Sequence, residues 1–123
     1  MKIRELIVED KIINITGYNH QAGDLESAAD WIGKSMKSLR VEVVDEPIKI
    51  FMPQIKEMYN TYDEYPQDSK RTNIILQKLN AGQPEYPIYV ARGDKEKFVM
   101  EGRHRMVVFW LAGLKTIPVA YVY

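Results

Sequence analysis

The chain has no cysteine among its 123 residues. That excludes disulfide bonds, thiolate metal sites and cysteine nucleophiles, and it accords with a reducing compartment. Neither sign of charge is in excess, since 17 Lys and Arg balance 17 Asp and Glu. A protein that grips nucleic acid by overall charge leans on a basic surface, so that mode is not expected; a local basic patch is a separate matter. No apolar run approaches the roughly 20 residues of a membrane-spanning helix. Met1 to Glu9 lacks the apolar stretch of a signal peptide. The expectation is a cytoplasmic protein with no membrane partner. Histidine is scarce, with only His20 and His104, and no His/Asp/Glu cluster has the spacing of a dedicated metal cage. Repeats, low-complexity tracts and a Ser/His/Asp pattern are also missing.

What is present suits one soluble domain with a real core: 46% hydrophobic and 28% charged residues. Ile3, Leu6 and Ile7 fit one face of a helical turn. Lys11 to Thr16 reads as a strand, and the Gly-bounded segment 17–23, which includes Tyr18, Asn19 and His20, as a connecting loop. Asp24 suits an N-cap; Leu25, Ala28, Ala29, Ile32, Met36 and Leu39 then keep helical spacing through Gly33. Val41 to Val44 is β-rich, Asp45 to Pro47 interrupts it, and Ile48 to Phe51 resumes an extended pattern. Proline is tolerated in the first turn of a helix but not inside it, so Pro53 opens a helix with Ile55, Met58, Tyr59 and Tyr62 inward. Asp68 or Ser69 caps the next helix, which carries Ile74, Ile75, Leu76 and Leu79 and closes at 80–82. Strands follow at Pro87 to Arg92 and Lys97 to Glu101, then a helix from Arg103 to Ala112 ending at Gly113. Thr116 to Tyr123 is a last strand, with Pro118 arguing for an edge or strand-end position. The elements mix without regular β-α-β alternation, so the fold class expected is α+β, a small mixed sheet with flanking helices.

The junction Glu101-Gly102-Arg103-His104-Arg105 carries the chemistry. A glycine, two arginines and a histidine stand where a strand runs into a helix N-terminus. Free amides and the positive end of the helix dipole attract anions there, and guanidinium groups match phosphate. The plainer reading is a corner whose arginines pair with surface carboxylates, and whose histidine caps or packs.

Three pieces in order, Pro87-Ile-Tyr-Val90, Glu101-Gly-Arg-His-Arg105 and Ala112-Gly-Leu-Lys-Thr-Ile-Pro-Val119, resemble the ParB/sulfiredoxin superfamily from Ser69 to Tyr123. Ile48 to Gln54 faintly resembles the family's first motif, so 45–123 reads as the family-like core. Residues 1–44 match no familiar pattern. The resemblance implies a domain that binds a nucleotide (ATP, ADP or CTP) or another phosphorylated ligand, with Mg2+ as the accompanying ion. Gly102, Arg103, His104 and Arg105 would hold phosphate, with Arg71 and Lys70 close by. Glu101 would hold magnesium, and Glu101 and His104 are the candidate catalytic groups for phosphoryl transfer or nucleotide hydrolysis. Gln54 is a candidate base or ribose contact. Sulfiredoxins carry a reactive cysteine where this chain has Arg103, which excludes peroxiredoxin repair. Partition proteins continue into a helix-turn-helix that these residues do not contain, so partition-site binding is not expected. The helix after the turn, Met106 to Leu111, is bulkier than the family's and is expected to narrow the pocket or reshape its floor. Two rival readings are a DNA-binding or nuclease-like protein that uses the same arginines, and a phage- or plasmid-type interaction protein. The latter would grip a protein partner through its N-terminal third or the tyrosines from Tyr59 to Tyr65.

Overall fold

A computed structural model describes residues 12–15, 17–82 and 86–123. The helical turn expected at Ile3, Leu6 and Ile7 lies outside the described residues. Strand β1 (Ile12–Ile15) pairs antiparallel with β2 (Tyr18–Gln21), with Ile15 opposite Tyr18 and Gly17 at φ +86° in the connection. The segment expected to be a loop is therefore half strand. Its polar residues gave no strand signal of their own; the pairing with β1 supplies it.

β2 runs straight into helix α1 (Ala22–Trp31), so the N-cap is Gln21 and Asp24 falls in the first turn. The helix was expected to pass through Gly33, and it stops before it. Gly33 takes φ +70°, its N–H reaches Asp30 O at 3.2 Å, and Lys34 N–H reaches Ala29 O at 2.9 Å. That is a Schellman closure, which only a residue comfortable at positive φ completes cheaply. Met36 and Leu39 are consequently outside the helix.

Strand β3 (Val41–Pro47) continues through the expected interruption, and Ile48–Phe51 is a 3-10 turn instead of extended chain. Pro47 is tolerated because β3 is an edge strand. Helix α2 (Met52–Asn60) carries Pro53 in its first turn, as the sequence requires. Ile55, Met58 and Tyr62 are buried, whereas Tyr59 is exposed. Helix α3 (Pro66–Asn80) starts two residues before Asp68, with Pro66 at its head and Tyr65 as N-cap. Pro66 suits the first helical position, and Asp68 serves the dipole from within the first turn. β4 (Ile88–Ala91), β5 (Val99–Glu101), α4 (Arg103–Leu111) and β6 (Thr116–Val122) complete the chain.

The protein is thus α+β, with four helices among the described residues and a mixed four-stranded sheet in the order β3-β6-β4-β5. β6 is antiparallel to β3 and parallel to β4, and β4 is antiparallel to β5. Pro118 therefore sits in an interior strand, not an edge. It is accommodated because the β4 ladder begins one residue later, at Val119 opposite Ile88. Alternation along the strands feeds two cores. Ile88, Val90, Val99, Ile117 and Val119 meet Phe51, Ile55, Met106, Val107 and Phe109 on one face. Tyr89, Met100, Ala120 and Val122 meet Leu25 and Ala28 of α1 on the other. The bulky residues of α4 fill the first core and leave the region before the helix open. No helix among the described residues is long and apolar enough to cross a membrane.

The polar groups of the Gln54 side chain are taken up by backbone groups of residues 97 and 99. Its amide Nε2 donates to Lys97 O at 2.8 Å, and its Oε1 accepts from Val99 N–H at 3.0 Å. The side chain acts as a short extra strand along edge strand β5, satisfying groups that a bare edge would expose. Substituting Gln54→Ala leaves the Val99 amide without that partner. The expected loss is about 1–3 kcal/mol, read as a lower urea midpoint at unchanged slope.

Candidate functional site

The site is organised by Gly102, which takes φ +87° as the N-cap of α4. A Cβ there would lie 3.2 Å from Ile88 Cα, so only glycine lets the chain turn from β5 into α4 this close to β4. Gly102 O accepts the first helical bond from Met106 N–H at 2.8 Å, and Gly102, lacking a side chain, provides no cap of its own. A cleft of about 430 Å3 opens in front of this turn. Its wall carries Arg103, His104 and Arg105 from the start of α4, Arg71 from α3, Glu101 from β5 and Asp24 from α1. All six residues from Glu101 to Arg105 and Arg71 that the sequence nominated are gathered here. Lys70 is not; it lines a separate shallow depression beside Tyr62 and Asn73.

The three arginines differ in what holds them. Arg105 is committed: Nη1 donates to Pro87 O at 2.5 Å, and Nη2 donates to Asp24 Oδ2 at 3.1 Å, with Gln21 Oε1 at 3.5 Å. Both members of this ion pair are largely buried, with side-chain exposures of 11% and 17%. Among the described residues, neither Arg71 nor Arg103 has a carboxylate within ion-pairing distance. Arg103 instead lies over the Phe98 ring at 5.7 Å. Asp24, expected as a helix cap, is the counter-ion that sequence inspection could not have assigned to Arg105.

His104 Nε2 lies 2.9 Å from Asp68 Oδ1. Asp68 belongs to α3, so the pair joins α3 to the start of α4 and orients the imidazole. Both side chains keep some exposure, 22% and 34%, and His104 and Arg103 also border a second depression that includes Tyr65. Burial pushes the Glu101 carboxyl above its ordinary range; Asp24 pushes it further, while the nearby Ser27 hydroxyl and Arg105 pull it back. His20, expected in a connecting loop, is instead fully buried in β2. Its Nδ1 is 2.6 Å from the Tyr89 hydroxyl, and burial pulls its pKa down, with Arg105 adding and Asp24 opposing.

No family model, curated protein or solved structure matches this chain. The chemistry of the cleft is therefore read from its own groups. Amides at a helix start and guanidinium groups that lack an ion-pair partner among the described residues are groups of the kind that attract anions. Glu101 is the carboxylate beside them whose pKa burial raises.

Two outcomes follow. Arg105→Ala leaves Asp24 buried without its cation and Pro87 O without its donor. It should cost roughly 3 kcal/mol of unfolding free energy, measured by denaturant titration at pH 7. Glu101 binds its proton more tightly in the folded protein than in the unfolded chain. Its contribution to stability is therefore full below the ordinary glutamate pKa and is lost as pH rises through the raised one. Glu101→Gln should flatten that fall and leave the protein more stable than the parent at pH 7, as read from thermal midpoints across pH 4 to 8.

Proposed function

We propose that this chain is a nucleotide-binding domain, or a binder of a related phosphorylated ligand, akin to the ParB/sulfiredoxin superfamily. The observation that carries the reading is the meeting of Arg71 and Arg103, from two different helices and without an ion-pairing carboxylate among the described residues, at the start of α4, whose N-cap Gly102 has no side chain. A merely structural corner would spend its cations on neighbouring acids, as Arg105 does. The order β4, Gly102 turn, α4, β6, with β4 and β6 adjacent and parallel, is compatible with the resemblance in the sequence.

In this reading the amides at the start of α4 and the Arg71 and Arg103 side chains hold phosphate oxygens. Arg105 fixes the floor of the cleft through Pro87 and Asp24 and adds positive potential. Glu101 is the residue that would hold magnesium, which supplies charge neutralisation on phosphate oxygens when bound. A cation there favours the ionised form of Glu101 and relieves its repulsion with Asp24. If the domain is catalytic, phosphoryl transfer or nucleotide hydrolysis fits best. His104, held by Asp68, and Glu101 are the groups placed to move a proton, and the arginines stabilise developing phosphate charge.

The test is a thermal-shift panel of ATP, ADP, CTP and tripolyphosphate, with and without Mg2+. At least one polyphosphate should raise the midpoint, and Arg71→Ala and Arg103→Ala should each cut that shift while leaving the unliganded midpoint nearly unchanged. Absence of a shift with every member of the panel overturns the reading.

A further inference from the structure

We infer that the cleft is one half of a nucleotide site whose other half is an aromatic platform formed by Trp31 and Phe98, on which the base stacks. The inference rests on the phosphate reading of the cleft and specifies the ligand as a nucleoside di- or triphosphate. Trp31 is 59% exposed and Phe98 40% exposed, though both are residues that gain most from leaving water. Their rings lie 6.1 Å apart at 60°, so they form a joined surface.

The platform's position gives it a specific occupant. Helix α1 lies along β5, with Asp24 near Glu101 at one end and Trp31 against Phe98 at the other. Phe98 immediately precedes β5, and Glu101 ends it at the cleft. Three strand steps separate them, roughly 10 Å. Arg103 bridges that gap: its side chain lines the cleft, and its guanidinium lies over the Phe98 ring at 5.7 Å. A guanidinium between a pocket lined by cationic groups and an exposed pair of aromatic rings matches a ligand that is anionic at one end and aromatic at the other. Bare phosphates and phosphosugars lack the second property. Stacking reads the π-face and not the hydrogen-bonding edge, so the platform accepts any base.

A Trp110→Phe background leaves Trp31 as the sole tryptophan, since the chain has two. In that background ATP should quench Trp31 fluorescence and bind about tenfold more tightly than tripolyphosphate. Trp31→Ala should erase the advantage of ATP and leave tripolyphosphate affinity, measured by calorimetry, unchanged. Equal binding of ATP and tripolyphosphate, with no quenching of native Trp31, overturns the platform while leaving the phosphate site standing. Failure of both ligands to bind removes the phosphate reading and the platform with it. The quenching arm uses the native Trp31 side chain and does not depend on how the alanine variant folds.

Discussion

The buried contact between Arg105 and Asp24 holds the molecule's two halves in register. The residues are 81 positions apart, one at the start of α4 and one in the first turn of α1. A guanidinium this deep cannot be left alone: the cost of stranding a charge away from water exceeds what nearby packing returns. Its carboxylate must arrive with α1, and α1 is delivered by the β1-β2 hairpin that runs directly into it. The same guanidinium grips Pro87 O, at the entry to β4. One side chain thus ties the N-terminal layer, the sheet and the helix that follows the glycine turn. Beside it, His20 and Tyr89 form a buried hydrogen-bonded pair, in which burial disfavours the charged form of each. Arg105 adds to the cost of a positive charge on His20.

What could be read from the sequence divides along the same line. Punctuation by glycine and proline was legible where its physical demand is local. Pro53 in a first turn, Gly102 before α4 and Gly113 after it all act where the residues themselves require. Local reasoning failed where a remote partner decides. β2 is a strand because β1 lies beside it, and Pro118 is interior because the β4 ladder starts at Val119. Gly33 was underestimated because its weak helix propensity counted for less than its ease at positive φ. In the site, Glu101 to Arg105 were legible because they are contiguous, and Arg71 followed from the resemblance. Asp24 and Asp68 looked like helix caps. Their roles as partners of Arg105 and His104 need contacts across 81 and 36 residues, which no spacing rule supplies. Gln54 shows the converse: a residue suggested by a motif turns out to be held by the backbone of β5.

The cleft contains both signs of charge, and the anion preference proposed for it depends on how its acids are silenced. Asp24 is neutralised by an ion pair with Arg105. Glu101 has no such partner among the described residues; burial and the neighbouring Asp24 favour its protonated form. These are different devices with different consequences. The ion pair is fixed by the fold. Burial makes ionisation of Glu101 less favourable than for an exposed glutamate, and an ionised carboxylate repels phosphate. Ionisation of Glu101 and binding of a bare polyphosphate therefore oppose each other, whereas a divalent cation carried in with the phosphate would turn the same carboxylate from an obstacle into a ligand. On the phosphate reading proposed above, Glu101 rather than the more numerous arginines is the group whose charge state would set which form of a phosphorylated ligand the cleft prefers: the arginines would supply the attraction, and the half-buried acid at the end of β5 the discrimination.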